Sequence, residues 1–320
     1  MTSLPLYWLT AAAALIPATA QSQPQYPNKP VRVIVTTVPG PLDAFARIVV
    51  GKMGERLKQN FFVENRPGAG GNIGAEVVSK APADGYTLLF AIDTTFTVNP
   101  SMYRKLPFDP DKDFATISVP VTYNQMLAVH PSVPVKTVQE LVTLAKTRGM
   151  NYASGGNGSP SHLAMALFLS EAGIKMTHIP YKGTGQSVID VVGGQVDSIF
   201  AVVTGVYPHV QSGRLRALGV SSPKRSLLAP DVPSVAERGY PKFDASFAYA
   251  LMAPAGTPDA IVQTLSQEVA RALAQPDVAD KNRIADYAAT GLDPKASAAW
   301  LASTRGKLAK IIADANLRVD

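Results

Sequence analysis

Val31-Arg32-Val33-Ile34-Val35-Thr36-Thr37, continued by Val38-Pro39-Gly40-Pro41-Leu42-Asp43, is the stretch on which the fold turns. Its first seven residues are nearly all β-branched, which suits a pleated, buried strand. The prolines and Gly40 end that strand. From Asp43 to Lys58 the residues Phe45, Ile48, Val49, Met53 and Leu57 recur at helical spacing. Further strands are expected at Phe61 to Val63 and Tyr86 to Ile92, with a helix from Ile73 to Lys80 between them. Strand, helix, strand, helix, strand implies α/β structure with a parallel sheet and right-handed crossovers.

The same grammar restarts after Pro120. Strands are predicted at Met126 to Val129, Asn151 to Ser154, Thr177 to Tyr181, Val196 to Val203 and Arg214 to Ser221. Helices fall between them, at Ser161 to Glu171 and Gln186 to Val192, and one is opened by the capping box Thr137-Val138-Gln139-Glu140 and closed by Gly149. Phe243 to Ala253 reads as a long strand crossing back to the first unit. Helices at Asp259 to Leu273, Val278 to Ala289 and Ser297 to Ala315 form the tail. The expected architecture is α/β and two-lobed, with a ligand cleft between the lobes and a helical C-terminal tail. Lobe one is assigned to 26–123 plus 249–320, and lobe two to 124–248.

Composition narrows the function. The chain has 320 residues, 46% of them hydrophobic and 17% charged, so it can bury a large core. It has no cysteine, which removes thiolate chemistry and disulfides. The net charge of +6 is scattered, not gathered into the basic runs of a nucleic-acid binder, so no nucleic acid is expected as a partner. The apolar run Leu4 to Ile16 and the small residues Ala18 and Ala20 read as a signal peptide, residues 1–20, cleaved after Ala20. No basic residue precedes that run. A buried N-terminal helix fits less well, because a polar, proline-punctuated leader follows.

Two loops are candidate anion sites. In parallel sheets ligands lie beyond the carboxyl ends of strands, and helix N-termini offer free N–H groups. In Val38 to Asp43 the available donors are those of Val38, Gly40, Leu42 and Asp43, since Pro39 and Pro41 have none; Asp43 is expected to cap the helix. In Ser154-Gly155-Gly156-Asn157-Gly158-Ser159-Pro160-Ser161-His162, glycines permit close backbone approach, Ser159 suits the N-cap and Pro160 the first helical position. This loop is expected to form a nest of backbone donors.

Competing chemistries are weaker. Ser159 with His162 lacks the G-x-S-x-G elbow of a hydrolase. Gly68-Ala69-Gly70-Gly71-Asn72-Ile73-Gly74 with Asp93 imitates a dinucleotide fingerprint, but Ile73 stands where a glycine is required, so it reads as a tight turn. His130, His162, His178 and His209 show no metal-ligand spacing. Neither a catalytic set, a cofactor nor a metal is expected. Tyr181-Lys182-Gly183 ends a strand where it can line a cleft or simply face solvent.

Taken in order, many segments resemble the Bug family, the solute-binding proteins of tripartite tricarboxylate transporters. They include YPNKPVRVIV (Tyr26 to Val35), Asp43-x-x-Ala46-Arg47, VENRPGAGGNIGAEVVSKAPADGYTLL (Val63 to Leu89), LPFDPDKDF (Leu106 to Phe114), the Ser154 to His162 loop, HIPYKG (His178 to Gly183), GGQVD (Gly193 to Asp197) and PDVPSVAERGYP (Pro230 to Pro241). The resemblance implies a type II periplasmic-binding-protein fold, export to the periplasm, and capture of a small organic carboxylate by backbone N–H groups and ordered water. It implies the membrane subunits of a tripartite transporter as partners, a monomer and no catalytic residues. A ligand-sensing receptor for a membrane signalling partner is the alternative.

The implied ligand-binding positions are Val38, Gly40, Pro41, Leu42, Asp43, Thr95, Phe96, Ser154, Gly155, Gly158, Ser159, Pro160, His162, Tyr181 and Asp197. This chain departs from the family in a first loop one residue shorter, in Phe96 after Thr95 where the family often has His, and in Gln186 where the family has Pro. The short loop and Phe96 lead to the expectation of an acid with a hydrophobic or aromatic body.

Overall fold

The computed structural model describes residues 26–314, so the expected signal peptide lies outside the described residues. In chain order the first lobe contains β1 (Val31–Val35), α1 (Pro41–Leu57), β2 (Phe61–Asn65), α2 (Asn72–Ser79), β3 (Thr87–Ile92), the short α3 (Thr94–Thr97) and α4 (Asn99–Met102), β4 (Phe114–Ser118) and β5 (Val121–Tyr123). The second holds β6 (Gln125–Val129), α5 (Val138–Thr147), β7 (Asn151–Ser154), α6 (Pro160–Ala172), β8 (Thr177–Pro180), α7 (Thr184–Val192), β9 (Ser198–Val202), α8 (Val203–Gln211) and β10 (Arg216–Val220). The chain then returns through β11 (Phe247–Pro254), α9 (Asp259–Leu273), α10 (Pro276–Ile284), β12 (Tyr287–Ala289) and α11 (Pro294–Asp314).

Each lobe is built on one sheet. The first runs β12-β5-β11-β3-β1-β2, with β4 also on β11; the second runs β10-β6-β9-β7-β8. β1 is parallel to β2 and β3, and β7 is parallel to β8 and β9, as the βαβ pattern predicts. The sheets are nonetheless mixed: β11 is antiparallel to β3, and β6 is antiparallel to β9. Both of these strands adjoin the crossings between lobes, and they enter their sheets from the cleft side. The carboxyl ends of β1, β3, β7, β8 and β9 therefore all point to one cleft.

Local chemistry accounts for the helices that frame it. α1 starts with Gly40 as N-cap and Pro41 as first residue, and buries Leu42, Phe45, Ala46, Val49, Val50 and Met53. In α5 the Thr137 side chain accepts the Glu140 N–H at 3.1 Å, and Glu140 in turn accepts the Lys136 N–H. Lobe two is centred on Phe168, Phe200 and Phe243, all fully buried.

The tail departs from the predicted helix Val278 to Ala289. α10 stops at Ile284, Asp286 turns left-handed (φ 58°), and Tyr287 to Ala289 pair antiparallel with β5. The cause is the Asp286 carboxylate. It accepts from Ser226 Oγ at 2.8 Å, the Leu228 N–H at 3.2 Å and Asn124 Nδ2 at 3.4 Å, which ties lobe one to lobe two beside the crossing. At the other edge of β11, the fully buried Asp93 accepts the Ala248 N–H at 3.0 Å, and its own N–H donates back to Ala248 O.

Candidate functional site

The lobe-one loop follows β1. Its course is fixed by Asn65, which donates from Nδ2 to Thr37 O and to Asp43 Oδ1, each at 2.9 Å. Asp43 also accepts from Arg47 Nε at 3.0 Å, and that bond to the guanidinium holds its carboxyl below the usual range. Asp43 therefore braces the loop. It does not cap α1, whose N-cap Gly40 makes no side-chain hydrogen bond. Helix geometry leaves the first-turn N–H groups without acceptors, here those of Leu42 and Asp43.

The lobe-two loop follows β7. Ser159 caps α6 by accepting the His162 N–H at 3.3 Å, and Pro160 opens the helix, as the sequence predicts. The donor nest expected of this loop is spent inside it. Gly155 N–H goes to Ser161 Oγ, Gly156 N–H to Ser154 Oγ, Ser159 N–H to Gly156 O, and Gly158 N–H to His162 Nδ1 at 3.1 Å. His162 stacks on His178 with ring centroids 4.0 Å apart and planes at 9°, and His178 stacks on Tyr152. Burial, with His178 beside it, pushes His162 down to about 4. The neutral ring then accepts at Nδ1 from Gly158, which assigns the proton to Nε2. His162 thus shapes the loop from behind.

A third helix start faces the same space. α7 begins after Gly183, and no side chain caps it. A Cβ at Gly155 would lie 2.7 Å from Thr184 Oγ1, so the absence of a side chain there lets the α6 and α7 loops meet.

Between the lobes lie two neighbouring chambers that share part of their walls. One of about 270 Å³ is the more polar, with walls that include Thr36, Thr95, Asn99, Tyr103, Asn157 and Ser159. The other, of about 410 Å³, is walled by Val38 to Leu42, Tyr123, Tyr249 and Val202, and by the starts of α6 and α7 at Ser161 and Thr184. Thr37, Ile92 and Pro160 belong to both. Neither wall contains Asp, Glu, His, Lys or Arg. The ionisable groups present are tyrosines, and burial pushes Tyr123 and Tyr249 well up, so both are neutral hydroxyls.

Of the positions singled out from sequence, Val38, Gly40, Pro41, Leu42, Thr95, Gly158, Ser159 and Pro160 line these chambers. Ser154, Gly155, His162 and Asp43 support the loops from outside the walls. Three lie elsewhere. Phe96 is 1% exposed and packs on Phe114 and Phe108, because its neighbour Thr95 takes the cleft-facing side of α3 and donates to Gly70 O. Tyr181 turns its hydroxyl to Asp190 at 2.7 Å. Asp197 precedes β9, at the end of the sheet away from the cleft, and accepts the Asn151 N–H at 2.9 Å.

The sequence reading missed Thr37, Ile92, Tyr123, Tyr249 and Thr184. It also reduced Gly68 to Gly74 to a tight turn, whereas Gly68, Gly70 and Gly71 wall the polar chamber. The turn holds no dinucleotide acid, since Asp93 is sealed against Ala248. The rule that ligands sit beyond strand ends would have found the loops after β2 and β8 as well.

Comparison with known proteins agrees with this geometry. Residues 45–317 match the family described as tripartite tricarboxylate transporter family receptor. Protein BugT of Bordetella pertussis (strain Tohama I) is 34% identical over 291 residues, covering 90% of this chain and 87% of that protein. Among solved structures, R. palustris Rpa4515 with adipate superposes with a TM-score of 0.81 at 29% identity, over 92% of this chain and 99% of that one. The periplasmic binding protein BugD gives a TM-score of 0.77 at 29% identity, over 92% and 99%.

Proposed function

Because the chain belongs to the tripartite tricarboxylate transporter receptor family, whose members are solute-binding receptors and not enzymes, we propose that its cleft captures a small organic carboxylate with a hydrophobic or aromatic body. The observation that carries this is the larger chamber, where helices start around an otherwise apolar wall. The starts of α1 and α7 carry no side-chain caps, so their N–H groups and dipoles are available to an anion. No cationic side chain competes for that role. The body of the acid then packs on Val38, Leu42, Val202, Tyr123 and Tyr249. Adipate, the ligand of the Rpa4515 neighbour, is an acid with a methylene body and fits the same logic.

The apolar preference rests on Tyr123 and Tyr249, since Phe96 is outside the site. Burying about 100 Å² of apolar ligand surface contributes about 2.5 kcal/mol, close to a hundredfold in affinity. The receptor is read as a monomer in the periplasm, delivered by a signal peptide cleaved after Ala20, and as passing its ligand to the membrane subunits of the transporter. Titration calorimetry of the chain from Gln21 against aromatic acids, aliphatic diacids, malate and citrate tests the specificity. Tight citrate binding with no response to aromatic or aliphatic-bodied acids would refute it. An uncleaved N-terminus in protein recovered from cells would refute the export.

A further inference from the structure

We infer that Gln125 reads the end of the ligand remote from its carboxylate, so that the preferred acids end in a neutral group that both donates and accepts hydrogen bonds, a hydroxyl or a carboxamide. The inference rests on the reading that the starts of α1 and α7 hold the carboxylate. Gln125 lines the larger chamber and is 2% exposed. Among the described residues its side-chain amide makes no hydrogen bond, yet neither amide atom is sealed. The buried side-chain atoms that are both closed off and unbonded are Thr37 Oγ1, His209 Nδ1 and Asn282 Nδ2. Val202, opposite Gln125 in the antiparallel register of β6 and β9, shares its face of the sheet and lines the same chamber. The Gln125 backbone is already engaged: its N–H donates to Ser221 Oγ at 2.9 Å, and its carbonyl accepts the Ser221 N–H at 2.8 Å. What Gln125 offers a ligand is therefore its amide.

Strand order sets this amide apart from the helix starts. In lobe one α1 follows β1, and β5, which carries Tyr123, stands three strands away along β1-β3-β11-β5. In lobe two α7 follows β8, and β6, which Gln125 opens, stands three strands away along β8-β7-β9-β6. At the usual strand spacing each separation is about 14 Å. An acid held at the helix starts thus runs its body along the chamber toward Gln125 and Tyr123. The Tyr123 hydroxyl is likewise unbonded and unsealed, whereas that of Tyr249 is paired with Tyr287. An amide donates from Nε2 and accepts at Oε1, so a hydroxyl or carboxamide can satisfy both atoms. A second carboxylate engages the donors alone and sets its charge against Oε1, with no Lys, Arg or His in the wall to balance it. An apolar end displaces water and leaves the amide unpaired. Sites built to bond a polar ligand group reject the analogue lacking it more strongly than apolar pockets reject a missing methylene.

Two matched series test this by calorimetry: 4-hydroxybenzoate and 4-carbamoylbenzoate against 4-methylbenzoate and terephthalate, and 6-hydroxyhexanoate against hexanoate and adipate. In the native chain a member with a neutral polar end should bind about tenfold tighter or more than both the apolar-ended acid and the diacid of its series. Gln125→Met, which keeps the length of the side chain and removes the amide, should bring the polar-ended and apolar-ended acids of that series within about twofold, while the apolar-ended acid binds no more weakly than before. Equal affinities within both series in the native chain would overturn the inference without any variant, as would a diacid that binds tightest in each. A gap that survives Gln125→Met would overturn it too. If none of these acids bound, the carboxylate reading of the cleft would fall and this inference with it. Binding without discrimination removes only the role of Gln125.

Discussion

Gly158 sits where the lobes touch. Its φ is +72°, and a Cβ built on it would lie 2.8 Å from Met102 Sδ and 3.0 Å from Met102 Cε. Gly158 belongs to lobe two and Met102 to lobe one, so Gly158→Ala combines two separable effects. The left-handed backbone costs an alanine about 1–2 kcal/mol whether or not the lobes are together. This appears as a lower melting temperature, by a few degrees for a chain of this size. The overlap with Met102 exists only where the lobes approach as they do here. Met102 is 1% exposed and lines the 270 Å³ chamber, so the space it can retreat into belongs to the ligand. Forcing it off its rotamer costs about 0.5–1.5 kcal/mol, or about two- to tenfold in dissociation constant. Calorimetry and thermal melts on Gly158→Ala, Met102→Ala and the double variant form a cycle. The double variant should regain the affinity of Met102→Ala alone but keep the melting penalty. If Gly158→Ala binds like the native chain, or if removing Met102 brings no relief, the contact does not limit closure.

Two buried groups give stability opposite slopes with pH. Burial pushes Asp93 up to about 7 from 3.8, so its contribution is full below about pH 4 and is lost as pH rises through 7, at most about 4 kcal/mol. Asp93→Asn should flatten that decline in melts between pH 5 and about 8. His162 is pushed down to about 4 from 6.5, so its contribution is present above about 6.5 and lost as pH falls through 4, about 3 kcal/mol. His162→Gln, which keeps an acceptor for the Gly158 N–H, should reduce the acid-side loss in the same melts; burial also pushes His178 down, so part of the loss remains. Asp286→Ala sacrifices three hydrogen bonds at a left-handed residue and should cost about 2–4 kcal/mol in urea unfolding, whereas Asp286→Asn, tolerant of that backbone, should cost less. Equal losses would show that neither tolerance of the left-handed backbone nor a remaining side-chain oxygen matters there.

What could be read ahead of the structure was set by local chemistry. β1 and α1 follow from β-branched residues, Pro41 and an apolar stripe, and Ser159 caps α6 as its position suggests. What escaped was set by distant partners. Asp286 breaks a helical pattern because Ser226 and Leu228, far away in sequence, donate to it. The donors of the Ser154 to Ser159 loop escaped for a different reason: they are consumed locally, by the hydroxyls of Ser154 and Ser161, the Gly156 carbonyl and the His162 ring, in a turn geometry that residue spacing does not reveal. Thr95 and Phe96 are neighbours, yet the rotation of about 100° between successive helical residues sends one to the cleft and the other into the core. Tyr249 gave no sign because β11 is buried at every position and has no alternation to mark a cleft-facing side, and Tyr123 gave none because β5 is only three residues long.

The strand order also imposes a schedule on synthesis. Lobe two is one unbroken insertion between β5 and β11, while β11, near the middle of the first sheet, is made only after all of lobe two has been made. Until then β3 presents an unpaired edge that is apolar from Leu88 to Ile92, and Asp93 lacks the Ala248 amide that satisfies it, 155 residues downstream. The second lobe can close its sheet as soon as β10 emerges; the first, although begun earlier, must wait for nearly the whole chain. The nascent polypeptide therefore passes through a stage in which the later lobe is complete and the earlier one still offers a template for strand addition, which is the interval when a holding chaperone has most to protect.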